Sequence, residues 1–286
     1  MDQEHIKKGI VELIQKAETD LPSDIVNALK NAHEIETGIA KIQLEAILKN
    51  IELAKETKRP MCQDTGIQTF FVTVGIGFPK ILELKTLIED AVKIATIQIP
   101  LRPNTVNPLT GLNHKDNIGA YIPYVNWEFT NGSDVLITAF PKGGGSENMS
   151  KLGMLKPGVG LDGVKNFIVD EIIKVGGNPC PPTIVGVGIG GGADLALKLG
   201  KKALLRPVGV HSKDNKIAEI ETELIKRINK SNIGPMGLGG KTTVLDVHIE
   251  MAHRHPASLP VGIVVQCWAN RRAHMIIHKD GNWEVK

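Results

Sequence analysis

Apolar residues recur at helix spacing near the start of the chain, first at Ile6, Ile10, Leu13, Ile14 and Ala17, then at Ile42, Leu44, Ile47, Leu48 and Ile51. The spacing predicts a helical N-terminal region over 6–57, broken at Leu21-Pro22, with Ser23 available to cap the next helix. The period then alternates between strand and helix. Residues 69–76 read as a strand and 81–97 as a helix. Two β-rich runs, 121–129 and 134–140, are joined through Thr130-Asn-Gly-Ser, the composition of a tight hairpin turn. Helical spacing returns at 164–175, 193–205 and 216–228, with a strand at 183–187 and short β-rich runs at 244–249, 261–265 and 273–277. The expected architecture is mixed α/β (α+β), a helical N-terminal region followed by mixed, partly antiparallel sheets with packed helices. No repeat or low-complexity linker interrupts it, so 1–286 is expected as one domain with 1–57 as a helical segment within it.

Composition narrows the function classes. With 286 residues, 42% of them hydrophobic, the chain can bury a full core, as one large domain or two subdomains. Its 34 basic and 31 acidic residues leave a net +3, too little to point to nucleic acid, while small anionic substrates remain compatible. Met1-Asp-Gln-Glu-His-Ile-Lys-Lys carries no apolar leader pattern, and no later run approaches the roughly 18 apolar residues of a membrane helix. A cytoplasmic location with reduced thiols is expected.

The three cysteines change the picture. Cys62 lies in Met-Cys-Gln-Asp-Thr-Gly, Cys180 in Asn-Pro-Cys-Pro-Pro and Cys267 in Val-Gln-Cys-Trp-Ala-Asn. Three thiolates can hold an iron–sulfur cluster with one iron open, whereas a structural zinc site takes four ligands and a disulfide framework an even count. Free cysteines also pack as small hydrophobes, and the wide spacing alone favours that reading. Prolines on both sides of Cys180 argue the other way, because they fix φ and withhold backbone donors, making a rigid loop that carries a thiol.

Glycine-rich segments offer competing readings. Gly186-Val-Gly188-Ile-Gly190-Gly191 has the spacing of a dinucleotide loop, but Arg206-Pro-Val-Gly-Val-His lacks the closing acidic residue, and tight helix packing explains the glycines equally. Gly234 to Thr242 ends in Gly-Lys-Thr, yet the first glycine of a phosphate loop would fall on Pro235. Lys142-Gly-Gly-Gly-Ser-Glu147 follows a strand, and its amides could meet a substrate carboxylate or simply form a turn.

Polar residues near the cysteines supply candidate chemistry. Asp64 could move a proton or orient a metal-bound hydroxyl, or serve only as a turn residue. Arg102, between Pro100 and Pro103, could clamp a carboxylate through two parallel hydrogen bonds, or pair at the surface. In His253-Arg-His255-Pro, His255 could donate a proton, and a histidine pair could bind zinc.

Together the motifs resemble a known family, the alpha component of class I fumarases and iron–sulfur tartrate dehydratases. The resemblance runs through Met61-Cys-Gln-Asp-Thr-Gly66, Leu101-Arg-Pro-Asn104, Lys142-Gly-Gly-Gly-Ser-Glu147 and Asn178-Pro-Cys-Pro-Pro182, and continues in Gly234-Pro-Met-Gly-Leu-Gly-Gly240, His253-Arg-His-Pro-Ala-Ser-Leu-Pro260 and Gln266-Cys-Trp268. It implies a 4Fe–4S cluster on Cys62, Cys180 and Cys267 with one iron not ligated by cysteine. It also implies a substrate site lined by Gln63, Asp64, Arg102, Gly145 and His255. The implied reaction is reversible hydration of fumarate to malate, with the open iron as Lewis acid and Asp64 and His255 steering the hydroxyl proton; the alternative is a tartrate dehydratase alpha subunit. Single-chain relatives carry a further domain that supplies the carbon-proton base. The resemblance therefore implies a separate beta subunit and a higher-order heteromer acting on a small dicarboxylate.

Overall fold

The N-terminal helical pattern folds as α1 (Gln3–Thr19), α2 (Ser23–Ile35) and α3 (Gly38–Thr57) in the computed structural model, which describes residues 2–286. In chain order there follow β1 (Thr69–Gly75), α4 (Leu84–Gln98), β2 (Tyr124–Thr130), β3 (Val135–Ala139), α5 (Gly144–Glu147), β4 (Lys151–Leu155) and α6 (Gly160–Val175). The last elements are β5 (Thr183–Gly191), α7 (Ala193–Ala203), α8 (Asn215–Asn229), β6 (Val244–Arg254), β7 (Leu259–Gln266), β8 (Ala273–Ile277) and β9 (Trp283–Val285). The fold is mixed α/β, as the periodicity predicts. Among the described residues no helix is long and apolar enough to cross a membrane.

The chain divides into two units. The first takes the residues through Pro22, Asn50–Gly144 and Arg271–Lys286. Its sheet has the order β2-β1-β3-β8-β9, and α1 and α4 close its core. Ile6, Ile10, Leu13 and Ile14 on one face of α1 are fully buried, together with Phe70 and Val74 of β1 and Ile88 and Val92 of α4. Asp2 caps α1 through a hydrogen bond from the Glu4 amide, 3.0 Å, which satisfies one of the orphan donors at the helix start.

The expected hairpin between residues 121–129 and 134–140 does not form. β1 runs between the two strands, parallel to β2 and antiparallel to β3. The Asn131–Asp134 turn reaches across the end of β1, where Gly75, Ile76 and Gly77 donate to Asp134, Thr130 and Gly132 carbonyls at 2.9, 3.0 and 2.8 Å. The physical reason is burial. β1 is buried along nearly its whole length, Phe70 and Phe71 on its two faces included, and a strand buried on both faces takes the sheet interior, whatever the local turn chemistry favours.

The second unit takes Ser23–Lys49 and Gly145–Asn270, and its sheet has the order β4-β7-β5-β6. β5 pairs parallel with β6 and antiparallel with β7. Gly186 and Gly188, the start of the dinucleotide-like motif, lie inside β5 and not in a phosphate-facing turn. A Cβ on either would fall 2.0 Å from a backbone oxygen of α7, that of Gly200 or Ala196, so these glycines let the helix sit directly on the strand. Gly188→Ala is expected to cost about 2 kcal/mol or more, read as a lower midpoint in urea with an unchanged slope.

The Gly-Lys-Thr segment is also engaged internally. Thr242 donates its amide to the buried Glu36 carboxylate at 2.6 Å, and Lys241 reaches the Ile35 carbonyl at the end of α2 at 3.1 Å. A carboxylate on the amide and a lysine on a helix C-terminus leave no cradle for a phosphate.

Candidate active site

In the first unit, the segment that carries Cys62 is pinned by its neighbour. The Met61 amide donates to the Glu18 carbonyl, 3.1 Å, and Asn50 Nδ2 donates to the Met61 carbonyl, 2.7 Å. Cys62 is a free, half-buried thiol and Gln63 is exposed. Asp64 forms the expected turn, its Oδ1 accepting from the Gly66 amide at 2.9 Å. The same carboxylate does more than turn the chain. Oδ2 accepts from the Gly144 amide at 2.7 Å, and Asn104 Nδ2 donates to Oδ1 at 3.3 Å. A Cβ at Gly143 would stand 3.2 Å from Asp64 Oδ2, so the glycine run gives its backbone close access to this carboxylate.

Arg102 is exposed while its backbone is fixed. Its amide donates to Thr65 Oγ1 at 3.1 Å, and its carbonyl accepts from Asn117 Nδ2 at 3.1 Å. The proline-bounded segment therefore presents a solvent-facing guanidinium on a rigid base beside the strand of residues that holds Asp64.

Beneath them lies a buried charge system that sequence reasoning missed. Glu18 on α1 and Arg271 are 0% and 1% exposed, and Arg271 Nη1 donates to Glu18 Oε2 at 2.7 Å. Gln68 Nε2 adds a bond to Glu18 Oε1 at 3.2 Å. Burial pushes the Glu18 carboxyl above its usual range; Arg271 and Gln68 oppose that shift, and the charge of Asp64 adds to it. The signal was present in the helix period, because Glu18 sits four residues after Ile14 on the buried stripe of α1, where a carboxylate demands a partner.

In the second unit, two of the cysteines meet at one end of the sheet. Cys180 precedes β5 and Cys267 follows β7, whose Gln266 is in register with Ile184. The Trp268 amide donates to the Cys180 carbonyl at 3.3 Å. Cys180 has φ +53° and is exposed, Cys267 is half-buried, and neither is in a disulfide. The Pro181 carbonyl accepts from the Met236 amide at 2.8 Å, so the 234–240 glycine segment braces the cysteine loop. Gln266 is buried; its Nε2 lies 3.7 Å from Cys267 Sγ and 2.9 Å from the Ala269 carbonyl, and Ser146 Oγ approaches its Oε1 at 3.5 Å. Gly145, exposed, is therefore one residue from a side chain that touches the Cys267 support.

His255 lies elsewhere. β6 continues five residues beyond the predicted 244–249, to Arg254, which pairs with Gly191 at the C-terminal end of β5. The nine residues of β5 put roughly 26 Å between that end and the end carrying Cys180 and Cys267, at about 3.3 Å per residue. His255 Nδ1 accepts from the Ala257 amide at 3.1 Å, so the neutral ring carries its proton on Nε2. Among the described residues no three His, Cys, Asp or Glu side chains gather around a point that would hold a single metal ion, the His253–His255 pair included. None of the three cysteines is in a disulfide, and thiolates are the donor type that an iron–sulfur group takes.

Comparison with known proteins agrees with these motifs. The family described as Fumarate hydratase (Fumerase) matches residues 7–276. The chain is 52% identical over 273 residues to a protein of Methanocaldococcus jannaschii named putative L(+)-tartrate dehydratase subunit alpha, covering 94% of this chain and 96% of that one. It is 39% identical over 268 residues to the L(+)-tartrate dehydratase subunit alpha of Escherichia coli O157:H7 and 38% to that of strain K12, in each case over 93% of this chain and 88% of the relative. Matched along nearly its whole length, the chain belongs to the fumarate hydratase (Fumerase) family of hydro-lyases.

Proposed function

We propose that this chain is the alpha subunit of an iron–sulfur dehydratase that removes water from L(+)-tartrate. The observation that carries this is the likeness to L(+)-tartrate dehydratase alpha subunits over more than nine-tenths of the chain. It shifts the substrate away from the fumarate expected from the motifs. Fumarate hydration is the second reading, favoured by the family match over residues 7–276.

Cys62, Cys180 and Cys267 are the proposed thiolate ligands of a 4Fe–4S cluster. When bound, such a cluster with one iron free of cysteine supplies a Lewis acid that makes the substrate hydroxyl a better leaving group. The chain's own residues hold and orient the substrate. Arg102 grips a carboxylate with its fixed fork, and the Gly145 backbone and Gln63 accept the remaining polar groups. Asp64, a carboxylate already held by three donors, steers the hydroxyl proton. The base that takes the carbon-bound proton comes from a beta subunit, as the name "subunit alpha" of the relatives suggests.

Malate lacks one of the two hydroxyls of tartrate, and a site built to bond that hydroxyl discriminates by roughly 10⁴ in kcat/KM. The test is to purify the chain anaerobically with its beta partner and compare elimination from L(+)-tartrate and malate. Faster turnover of malate and fumarate would replace the tartrate reading with the second one. In the same holoenzyme, Arg102→Lys, which loses the bidentate fork, is expected to raise KM by roughly 10- to 100-fold with iron content unchanged.

A further inference from the structure

We infer that Asn104 is a positioning residue that sets the Asp64 carboxylate in register with Arg102, an inference that rests on the reading of Asp64 and Arg102 given above. Asn104 stands two residues after Arg102 on the same fixed segment. Its Nδ2 donates both to Asp64 Oδ1, 3.3 Å, and to the Gly66 carbonyl, 3.0 Å. One amide group therefore spans the turn that carries Asp64. From the other side, the Asn104 backbone amide donates to Asn117 Oδ1 at 2.7 Å.

Asn117 completes the bracket. It is 3% exposed with φ +59°, and its Nδ2 donates to the Arg102 carbonyl and to Thr96 Oγ1 on α4, both at 3.1 Å. Thr96 Oγ1 in turn bonds the Val92 carbonyl at 2.8 Å. The register of Arg102 is thus referred to a packed helix, and Asn104 passes it on to Asp64. The Arg102 amide, donating to Thr65 Oγ1 at 3.1 Å, ties the same two segments a second time, so loss of the Asn104 amide leaves the loops joined and removes the one side-chain donor of the three that hold the carboxylate, together with its bond to the Gly66 carbonyl. A proton-steering carboxylate displaced by about 1 Å can lose on the order of 100-fold in rate.

Asn104→Asp isolates this function. The substitution keeps size and the backbone bond to Asn117, and exchanges the donor that faces Asp64 for a like charge. In the alpha–beta holoenzyme it is expected to lower kcat per cluster about 100-fold, with KM, iron content and thermal midpoint near those of the parent. Asn104→Ala, which removes the donor without adding charge, is expected to fall between the two. Unchanged turnover per cluster, with any loss confined to the yield of folded, iron-loaded protein, would make Asn104 a structural residue and overturn the inference. Asp64→Asn run in parallel separates the two levels: its full activity would remove the role of Asp64 itself, whereas an inactive Asp64→Asn beside a fully active Asn104→Asp overturns only the positioning role.

Discussion

Cys180→Ser in the alpha–beta holoenzyme is expected to abolish turnover and remove the iron–sulfur signal while the chain stays folded. The separation of the two effects follows from the position of the side chain. Cys180 is exposed, and backbone bonds hold its loop, the Cys180 carbonyl accepting from Trp268 and the Pro181 carbonyl from Met236. Serine preserves both and replaces only the thiol, so the stability change should stay within about 0.5 kcal/mol. The ligand is lost outright, because an alkoxide is not available at neutral pH and an alcohol is a poor ligand for a soft iron site. Anaerobic reconstitution followed by electron paramagnetic resonance of the reduced protein, with and without L(+)-tartrate, reads the ligand role directly. The parent should give a signal that responds to the dicarboxylate and the variant none. Full turnover by Cys180→Ser would return this cysteine to an ordinary loop position.

Much of this was legible in the sequence, for reasons that differ between parts. The helices of the N-terminal region and α4, α6, α7 and α8 are amphipathic, and a helix announces its buried face through its own period. The motif residues were legible because their neighbours restrict the backbone: Pro179 and Pro181 around Cys180, Pro100 and Pro103 around Arg102, the glycines beside Asp64. What failed depended on partners far away in the chain. β4, with Lys151, Gly153 and Met154 in five residues, has no β-branched run and becomes a strand only because β7 pairs with it. The turn at Asn131-Gly132 reads as a hairpin because turn chemistry is local, while the placement of β1 between the two strands is set by burial. His255 looked adjacent to Cys267 in sequence, yet β7 carries the chain the length of the sheet between them. The Glu18–Arg271 pair joins residues 253 positions apart; the period of α1 puts Glu18 on the buried stripe but carries no information about its cation.

That pair makes the second large expectation. Arg271→Met should destabilise the chain by about 3–5 kcal/mol at neutral pH, the usual effect of removing one member of a buried ion pair. Methionine fills much of the space, so the loss is chiefly electrostatic: Glu18, fully buried, keeps Gln68 but loses its cation. The pH dependence gives the cause. Burial already raises the Glu18 carboxyl in the folded state above its unfolded value, with Arg271 the main force holding it down. Removing Arg271 raises it further. A group with a raised folded pKa contributes stability that is fully present below the unfolded pKa and is lost as pH rises through the folded one. The variant should therefore lose more stability than the parent as pH rises above about 4.5, and the two should converge below it, where Glu18 is protonated in both. Urea midpoints measured across that range test this. Glu18→Gln supplies the contrast: it leaves the buried Arg271 guanidinium, which cannot shed its charge, without the Glu18 anion, so it should also be destabilising at neutral pH, by an amount that no longer varies with the titration of residue 18. A loss in Arg271→Met that does not change with pH across that range would mean that the side chains matter here for their shape alone.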